Sequence, residues 1–221
     1  MPNLTDVNLP IAFKYKKDVT ITGSAHFIPL SQIDIGALQR LFPNVRERVV
    51  NEIKVKREVK PQVNPSRSLI LTSKNDWERM DRTIEIMNVS DNSCNEEEIK
   101  ELDLSGFVNL RELKVGKECF EKVNEVRLMG LNELESVEIG MNSFTKQKNG
   151  FGNNPNRHFY LKDCPKMKSL KMGDCSFSDY TVCEIENVDA LEVIEMGDLN
   201  QYSFNFYYAS LELKSILIHN E

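Results

Sequence analysis

The stretch LESVEIGMNSF, at residues 134–144, recurs in altered form along the chain, and this recurrence decides the predicted fold. Each copy has the pattern L-x-x-L-x-L, with Met, Val or Ile also allowed at the apolar positions. The spacings between copies are 24, 33, 24 and 22 residues. The related segments are LRELKVGKECF from residue 110, MKSLKMGDCSF from 167, LEVIEMGDLNQY from 191 and LKSILIHNE from 213.

A short strand with alternating apolar residues buries them on one side, and a parallel neighbour in the next copy supplies the core that one copy lacks. The segments between the copies carry a second alternation, in ELDLSGF from 101, NEVRLMGL from 124, HFYLKDCP from 158 and VCEIENV from 182. We therefore predict a second strand on the opposite side. The fold class predicted is mainly β: a solenoid of parallel strands with repeats of about 24 residues.

Four further columns of residues follow from this register. Phe120, Phe144 and Phe177, with Tyr202 near the matching place, predict a buried aromatic spine. The glycines after the strands (116, 140, 173 and 197) suit turns with positive φ or close backbone approach. The outward positions alternate in charge, which favours this pairing: Arg111, Glu135, Lys168, Glu192 and Lys214 in one column, and Lys114, Glu138, Lys171, Glu195 and Leu217 in another.

These residues resemble the leucine-rich repeat proteins that form large, divergent families in single-celled eukaryotes (protists), with repeats in the BspA-like style. The resemblance covers residues 84–221 and implies a protein-binding or surface-display solenoid, a scaffold without catalytic residues. We expect residues 1–83 to form an irregular N-terminal cap or degenerate repeats. Within them, a strand is predicted at 19–23, a helix from Ser31 to Pro43, and a loop at 61–68.

Charge is divided unevenly along the chain. Residues 1–68 hold 11 Lys and Arg against 6 Asp and Glu, whereas residues 69–221 hold 17 against 28. An acidic body disfavours bulk nucleic-acid binding, which depends on clustered cations. No apolar run approaches the roughly 18 residues of a membrane span. We expect no nucleic-acid partner and no membrane partner.

The N-terminus lacks the pattern of a secretory signal peptide, and the five cysteines are an odd number scattered without C-x-x-C pairs. Both features favour reduced thiols and a cytoplasmic location. The alternative is a displayed or secreted recognition or adhesion protein that uses another route, for which Asn3 and Asn88 are candidate glycosylation sites.

Patterns for catalysis and cofactors are missing from the sequence. No H-E-x-x-H, G-x-S-x-G, phosphate loop or dinucleotide fingerprint occurs. His158, Cys164 and Cys175 do not have the usual spacing of zinc ligands. We expect no enzyme activity, no cofactor and no metal site. An enzyme with an unrecognised site is the alternative that a hydrolase and metal-content screen would reveal.

The 33-residue spacing contains an insertion, TKQKNGFGNNPNRH, at residues 145–158. It holds three cations and no acid, and insertions in repeats lie on the surface, often at the binding face. We predict that Lys146, Lys148, Phe151 and Arg157 contact an acidic protein partner of unknown identity. The alternative is a tolerated insertion without function.

The last segment, LKSILIHNE, lacks a polar capping unit and predicts an open strand edge. Three outcomes are consistent with it. The edge pairs with a second copy in a homodimer, the segment FNFYYASLEL (204–213) folds back over it, or the array continues in a longer protein.

Overall fold

The computed structural model describes residues 6–8, 19–22, 67–148, 152–197 and 203–214, the first two segments as backbone only. This part is mainly β, with parallel strands in two sheets and one helix, α1 (Lys74–Arg79). In chain order the strands are β1 (Asp6–Asn8), β2 (Val19–Thr22), β3 (Ser68–Leu71), β4 (Ile86–Val89), β5 (Glu101–Asp103), β6 (Glu112–Val115), β7 (Glu125–Met129), β8 (Ser136–Ile139), β9 (His158–Lys162), β10 (Ser169–Met172), β11 (Val182–Glu186), β12 (Val193–Met196) and β13 (Ser210–Lys214).

From β4 onward, successive strands alternate between the sheets. The first sheet has the order β1-β12-β10-β8-β6-β4-β3, and the second has the order β2-β13-β11-β9-β7-β5. All the pairings are parallel. From β6 onward, each strand therefore lies beside the strand that occurs two strands earlier, which places corresponding residues of the recurring segments next to each other.

Apolar residues recur at every second strand position and point into a shared core. In the first sheet one buried column passes from Met87 through Leu113, Val137 and Leu170 to Ile194. In the second sheet a buried column runs through Leu102, Val126, Phe159, Cys183 and Leu211. Both columns belong to one hydrophobic cluster, so the predicted second strand of each repeat is confirmed.

The described residues of the fifth predicted segment, Leu213 and Lys214, lie in the second sheet rather than the first, and residues 215–221 lie outside the described residues. Leu213 lies in β13, beside Ile185 of β11 in the second sheet. Its apolar neighbour Leu211 pairs with Cys183, so the segment matches VCEIENV rather than LEVIEM. The prediction was wrong because both half-repeats alternate with period 2, and this short segment satisfies either pattern.

The aromatic spine is confirmed, but its fourth member is Phe206. The rings of Phe120, Phe144, Phe177 and Phe206 stack with centroid distances of 5.0, 4.7 and 4.9 Å and are essentially unexposed. Tyr202, the predicted member, lies outside the described residues. All four phenylalanines have positive φ, between 48° and 58°. That backbone costs about 1–2 kcal/mol per residue, and burial of a Phe ring contributes about 1.5–3 kcal/mol, so burial holds the turn.

A polar ladder runs beside the spine. The residue before each phenylalanine donates a side-chain hydrogen bond to the carbonyl that follows a strand in the preceding repeat unit. The four bonds are Cys119 Sγ to Ser90 O (2.9 Å), Ser143 Oγ to Gly116 O (2.8 Å), Ser176 Oγ to Gly140 O (2.7 Å) and Asn205 Nδ2 to Gly173 O (2.8 Å). These bonds give hydrogen-bond partners to carbonyls of four half-buried residues.

The two ends of the sheets differ from the predicted arrangement. A strand is confirmed at Val19–Thr22, but β2 pairs with β13, and β1 pairs with β12. The edges of β12 and β13 are therefore paired, whereas the open edge predicted at the end of LKSILIHNE stays a prediction, because residues 215–221 lie outside the described residues. Residues 204–213 form a turn and a strand rather than a fold-back. The domain boundary at residue 83 stays a prediction, although β3 precedes it and pairs with β4. The predicted helix from Ser31 and most of the loop at 61–68 lie outside the described residues.

Glycine at position 140 permits the closest contact between neighbouring turns. A Cβ atom there would lie 2.5 Å from the carbonyl carbon and oxygen of Gly116. At Gly173 a Cβ atom would lie 2.5 Å from the amide nitrogen of Met141. These glycines allow backbone approach, as predicted, whereas Gly197 has a positive φ of 69°.

We expect Gly140→Ala to lower the free energy of unfolding by about 1–3 kcal/mol, because the added methyl group forces two backbones apart. Gly106→Ala is the matched control, since its Cβ would meet only the flexible Arg82 side chain. Chemical denaturation of both variants measures the difference. Equal stabilities would contradict the close-packing explanation.

Candidate functional site

The 145–158 insertion packs along the turn at residues 176–181. Its first arm consists of residues 145–148. There, Thr145 Oγ1 lies 2.7 Å from Ser178 Oγ, which donates to the carbonyl of Gln147 at 3.0 Å. In its second arm, residues 152–158, the amide of Gly152 donates to Ser178 O (3.3 Å). Both arms are therefore anchored to the same serine, and residues 149–151 between them lie outside the described residues.

Arg157 anchors the end of the insertion from inside the protein. Its side chain is 0% exposed, and its Nη1 donates to both carboxylate oxygens of Asp179, at 2.9 and 3.1 Å. Nη1 also donates to Phe144 O (3.3 Å), and Nη2 donates to Glu121 O. The guanidinium thus ties the insertion to an aromatic-spine residue and to two separate turns.

Tyr180 completes this buried cluster. The Arg157 guanidinium carbon lies 5.4 Å from the centroid of its ring, and its hydroxyl donates to Val123 O at 2.8 Å. Burial raises the pKa of the Tyr180 hydroxyl far above its ordinary value. Arg157 Nε is buried and has no hydrogen-bond partner within the described part of the chain. The cluster therefore anchors the insertion through the buried Arg157–Asp179 ion pair, and Arg157 makes further hydrogen bonds to backbone carbonyls.

The four predicted contact residues therefore separate into different environments. Lys146 is exposed, and Lys148 is exposed but its Nζ lies 2.7 Å from Glu118 Oε2 and 3.9 Å from Glu121 Oε2. Phe151 lies outside the described residues. The prediction for Arg157 needs correction, because a fully buried guanidinium already paired with Asp179 is not presented to a partner. Contact with a partner by the lysines stays a prediction.

The first sheet has an outer face of paired charges, as the sequence predicts. Glu135 Oε1 lies 2.9 Å from Arg111 Nη2, and Glu135 Oε2 lies 3.6 Å from Lys168 Nζ. Burial acts to raise the pKa of Glu135, but the hydrogen bond from Arg111 and the charge of Lys168 outweigh it and lower the pKa. Lys171 pairs with Glu195 at 2.7 Å. The column also extends upstream through Arg67 and Glu85, which the sequence analysis missed.

The prediction that Lys214 lies in an outward column of the first sheet is wrong, and the same prediction for Leu217 is not tested. Lys214 belongs to the second sheet, where its Nζ lies 2.5 Å from Glu212 Oε2 and its Cα pairs with that of Glu186. Leu217 lies outside the described residues. Both assignments followed from placing the fifth segment in the first sheet.

The outer face of the second sheet carries an excess of acid that the sequence analysis did not identify. Among its described outward strand positions are six carboxylates and three cations. The carboxylates are Glu101, Asp103, Glu125, Glu184, Glu186 and Glu212, and the cations are Arg127, Lys162 and Lys214. Aligning the half-repeats by column would have revealed this excess, which disfavours an acidic partner on this face.

Each cation on this face is surrounded by acids. Arg127 pairs with Glu125 at 2.8 Å, with Asp103 at 3.9 Å and with Glu101. Lys162 pairs with Glu184 at 2.5 Å and with Glu186 at 3.4 Å. Its Nζ also lies 5.3 Å from the ring centroid of Tyr160.

The cysteines are buried, and His158 makes hydrogen bonds within the protein. None of the five cysteines forms a disulfide. Burial raises the pKa of Cys94 to about 12 and that of Cys164 to about 11. His158 Nε2 lies 2.8 Å from Pro155 O, and its Nδ1 lies 3.2 Å from the Tyr160 hydroxyl. Within the described ranges, no group of three or more His, Cys, Asp or Glu side chains is arranged to hold a metal ion.

No helix in the described part of the chain is both long enough and apolar enough to cross a membrane. Comparisons with protein-family models, with curated proteins and with solved structures gave no match.

We expect Arg157→Met to lower the free energy of unfolding by about 3–5 kcal/mol, because it leaves the Asp179 carboxylate buried without its partner. Lys146→Met, an identical change at an exposed position of the same insertion, should alter it by less than about 0.5 kcal/mol. Denaturant titration of the two variants checks this. Similar values for both would show that Arg157 is not an anchor.

The raised pKa values predict slow alkylation of the thiols in the native protein at neutral pH. The thiolate is the reactive form, and burial both suppresses it and blocks access. Iodoacetamide followed by mass spectrometry should label Cys94 and Cys164 only after denaturant is added. Rapid labelling of either residue without denaturant would contradict the buried environment.

Proposed function

We propose that the chain is a leucine-rich repeat solenoid, with a repeat of about 24 residues, that works as a non-catalytic module for binding another protein. The alternation of parallel strands between two sheets supports the solenoid. Paired residues such as Leu113 and Val137, or Leu170 and Ile194, are 24 positions apart. The step from Val137 to Leu170 is 33 positions long and contains the insertion.

The observation that carries the binding role is the anchoring of this insertion. Its arms are held by Ser178 and by the buried Arg157–Asp179 pair, so the segment between them has a defined base on a rigid support. Preorganised loops lose less conformational entropy when they bind a partner. Lys146 is exposed on the first arm and makes no ion pair with any described residue.

The proposed site is therefore Lys146 together with Lys148 and Phe151, without Arg157. Lys148 contributes after exchanging its contacts with Glu118 and Glu121 for a carboxylate of the partner. The partner chemistry is an acidic protein surface with an apolar pocket for Phe151. The paired charges of the first sheet and the acidic second sheet are less suited to such a partner.

We expect a Lys146→Glu/Phe151→Ala variant to bind its partner at least about tenfold more weakly, since loss of a central aromatic and a charge contact costs more than about 1.4 kcal/mol. The control is Lys166→Glu, which reverses an exposed lysine outside the insertion. Affinity capture from a native lysate with quantitative mass spectrometry identifies candidates, and titration with the purified partner measures the affinity.

Capture of the same partner with equal affinity by both variants and the unsubstituted protein would overturn the role of the insertion. These substitutions keep Arg157 in place, so weaker binding is not explained by loss of its anchor.

A further inference from the structure

Both sheets end on strands that come from the opposite end of the chain. β1 pairs with β12, with Val7 beside Ile194. β2 pairs with β13, with Ile21 beside Leu213. Two short strands near the start of the chain, β1 and β2, therefore cover the C-terminal edge of the first sheet and that of the second.

The register of β2 continues the pattern of the second sheet. Val19 and Ile21 occupy the positions aligned with Leu211 and Leu213, which are buried. Thr20 and Thr22 occupy the positions aligned with Glu212 and Lys214, which are outward and charged. The apolar and polar positions of the segment thus alternate in phase with the strand that it covers.

The connection to the rest of the chain does not dictate this placement. Residues 23–67 link β2 to β3, a stretch of 45 residues. In the first sheet β3 and β12 are separated by four strands, or about 24 Å at 4.8 Å per spacing. An extended chain of this length reaches about 150 Å. The pairing with β12 and β13 therefore depends on the contacts of the segment itself rather than on a short tether.

The opposite end of the two sheets has strands that match the β12 and β13 edges in direction. β3 and β5 are the last strands there among the described residues, and they run parallel to β12 and β13 in their own sheets. Ile70 of β3 is 63% exposed. Placing β3 and β5 of one molecule beside β12 and β13 of another would continue both sheets in the same direction. Such a head-to-tail contact does not close and would produce open assemblies.

We infer that β1 and β2 form an end cap that prevents head-to-tail association with a second copy of this chain through the β12 and β13 edges. Uncovered parallel edges present unpaired backbone groups and template the addition of further strands. The cap strands β1 and β2, with 3 and 4 residues, replace the edges of β12 and β13, with 4 and 5 residues, and shorter edge strands present fewer unpaired backbone groups to a second copy. This role is separate from partner binding at the insertion and does not depend on it.

The test uses full-length variants that differ by one register position. Ile21→Asp places a charge at the position aligned with buried Leu213, whereas Thr22→Asp places the same charge at the outward position aligned with Lys214. Sedimentation velocity at increasing protein concentration should show association of Ile21→Asp. The Thr22→Asp variant should sediment as a monomer like the unsubstituted chain.

A disulfide between Thr20→Cys and Glu212→Cys provides a reversible lock. These positions are direct partners on neighbouring strands, and a spacing of about 4.8 Å between strands suits a disulfide. Added to Ile21→Asp, the oxidised lock should hold the cap in place and restore the monomer, and reduction should return the association.

Two results would overturn the inference: monomeric Ile21→Asp at all concentrations, or association that persists with the lock oxidised. If Ile21→Asp unfolds the whole chain, circular dichroism will reveal it. The lock alone then decides, because on mild heating the reduced form should associate and the oxidised form should not. Identical behaviour of both forms would also overturn the inference.

Discussion

The structure depends on parallel pairing of strands in exact register between successive repeat units. This register places like residues beside like residues, so every column of side chains acts as a unit. Phenylalanine stacks on phenylalanine at 4.7–5.0 Å, and glycine backbones meet where a methyl group would not fit. The positive φ of the spine phenylalanines is maintained because every ring is buried and stacks on at least one other ring of the spine.

The same constraint explains how the insertion is tolerated. Nine extra residues between β8 and β9 would separate two turns unless their backbone groups found partners. Ser178 bonds both arms of the insertion, and Arg157 fills the interior space beside Tyr180 with its charge paired to Asp179. A buried ion pair of this kind contributes little net stability, but loss of one partner is costly. The insertion is therefore part of the packed structure at its base.

Electrostatics distinguishes the surfaces that the register creates. On the outer face of the first sheet, charges of alternating sign form ion pairs such as Arg111 with Glu135. On the outer face of the second sheet, several carboxylates lie around Arg127 and Lys162. A basic insertion beside these surfaces is suited to a different partner from the one that either sheet favours. The strands β1 and β2 cover the β12 and β13 edges, whereas β3 and β5 are the terminal strands at the other end of the described sheets.

The sequence by itself determined most strands of the recurring segments, three of the four spine phenylalanines and the alternation of charge in the first sheet, because these follow from period-2 alternation within each segment and from its repetition. Tertiary structure decided the features that depend on distant residues. Arg157 is buried because Asp179, 22 positions later, lies beside it, and nothing within the insertion distinguishes it from the exposed Lys146. Leu213 joins the second sheet because its neighbours there match it in register. The pairing of β1 and β2 with the far end of the chain is the least local of all, since strand alternation specifies which face is buried but does not specify which edge the strand joins.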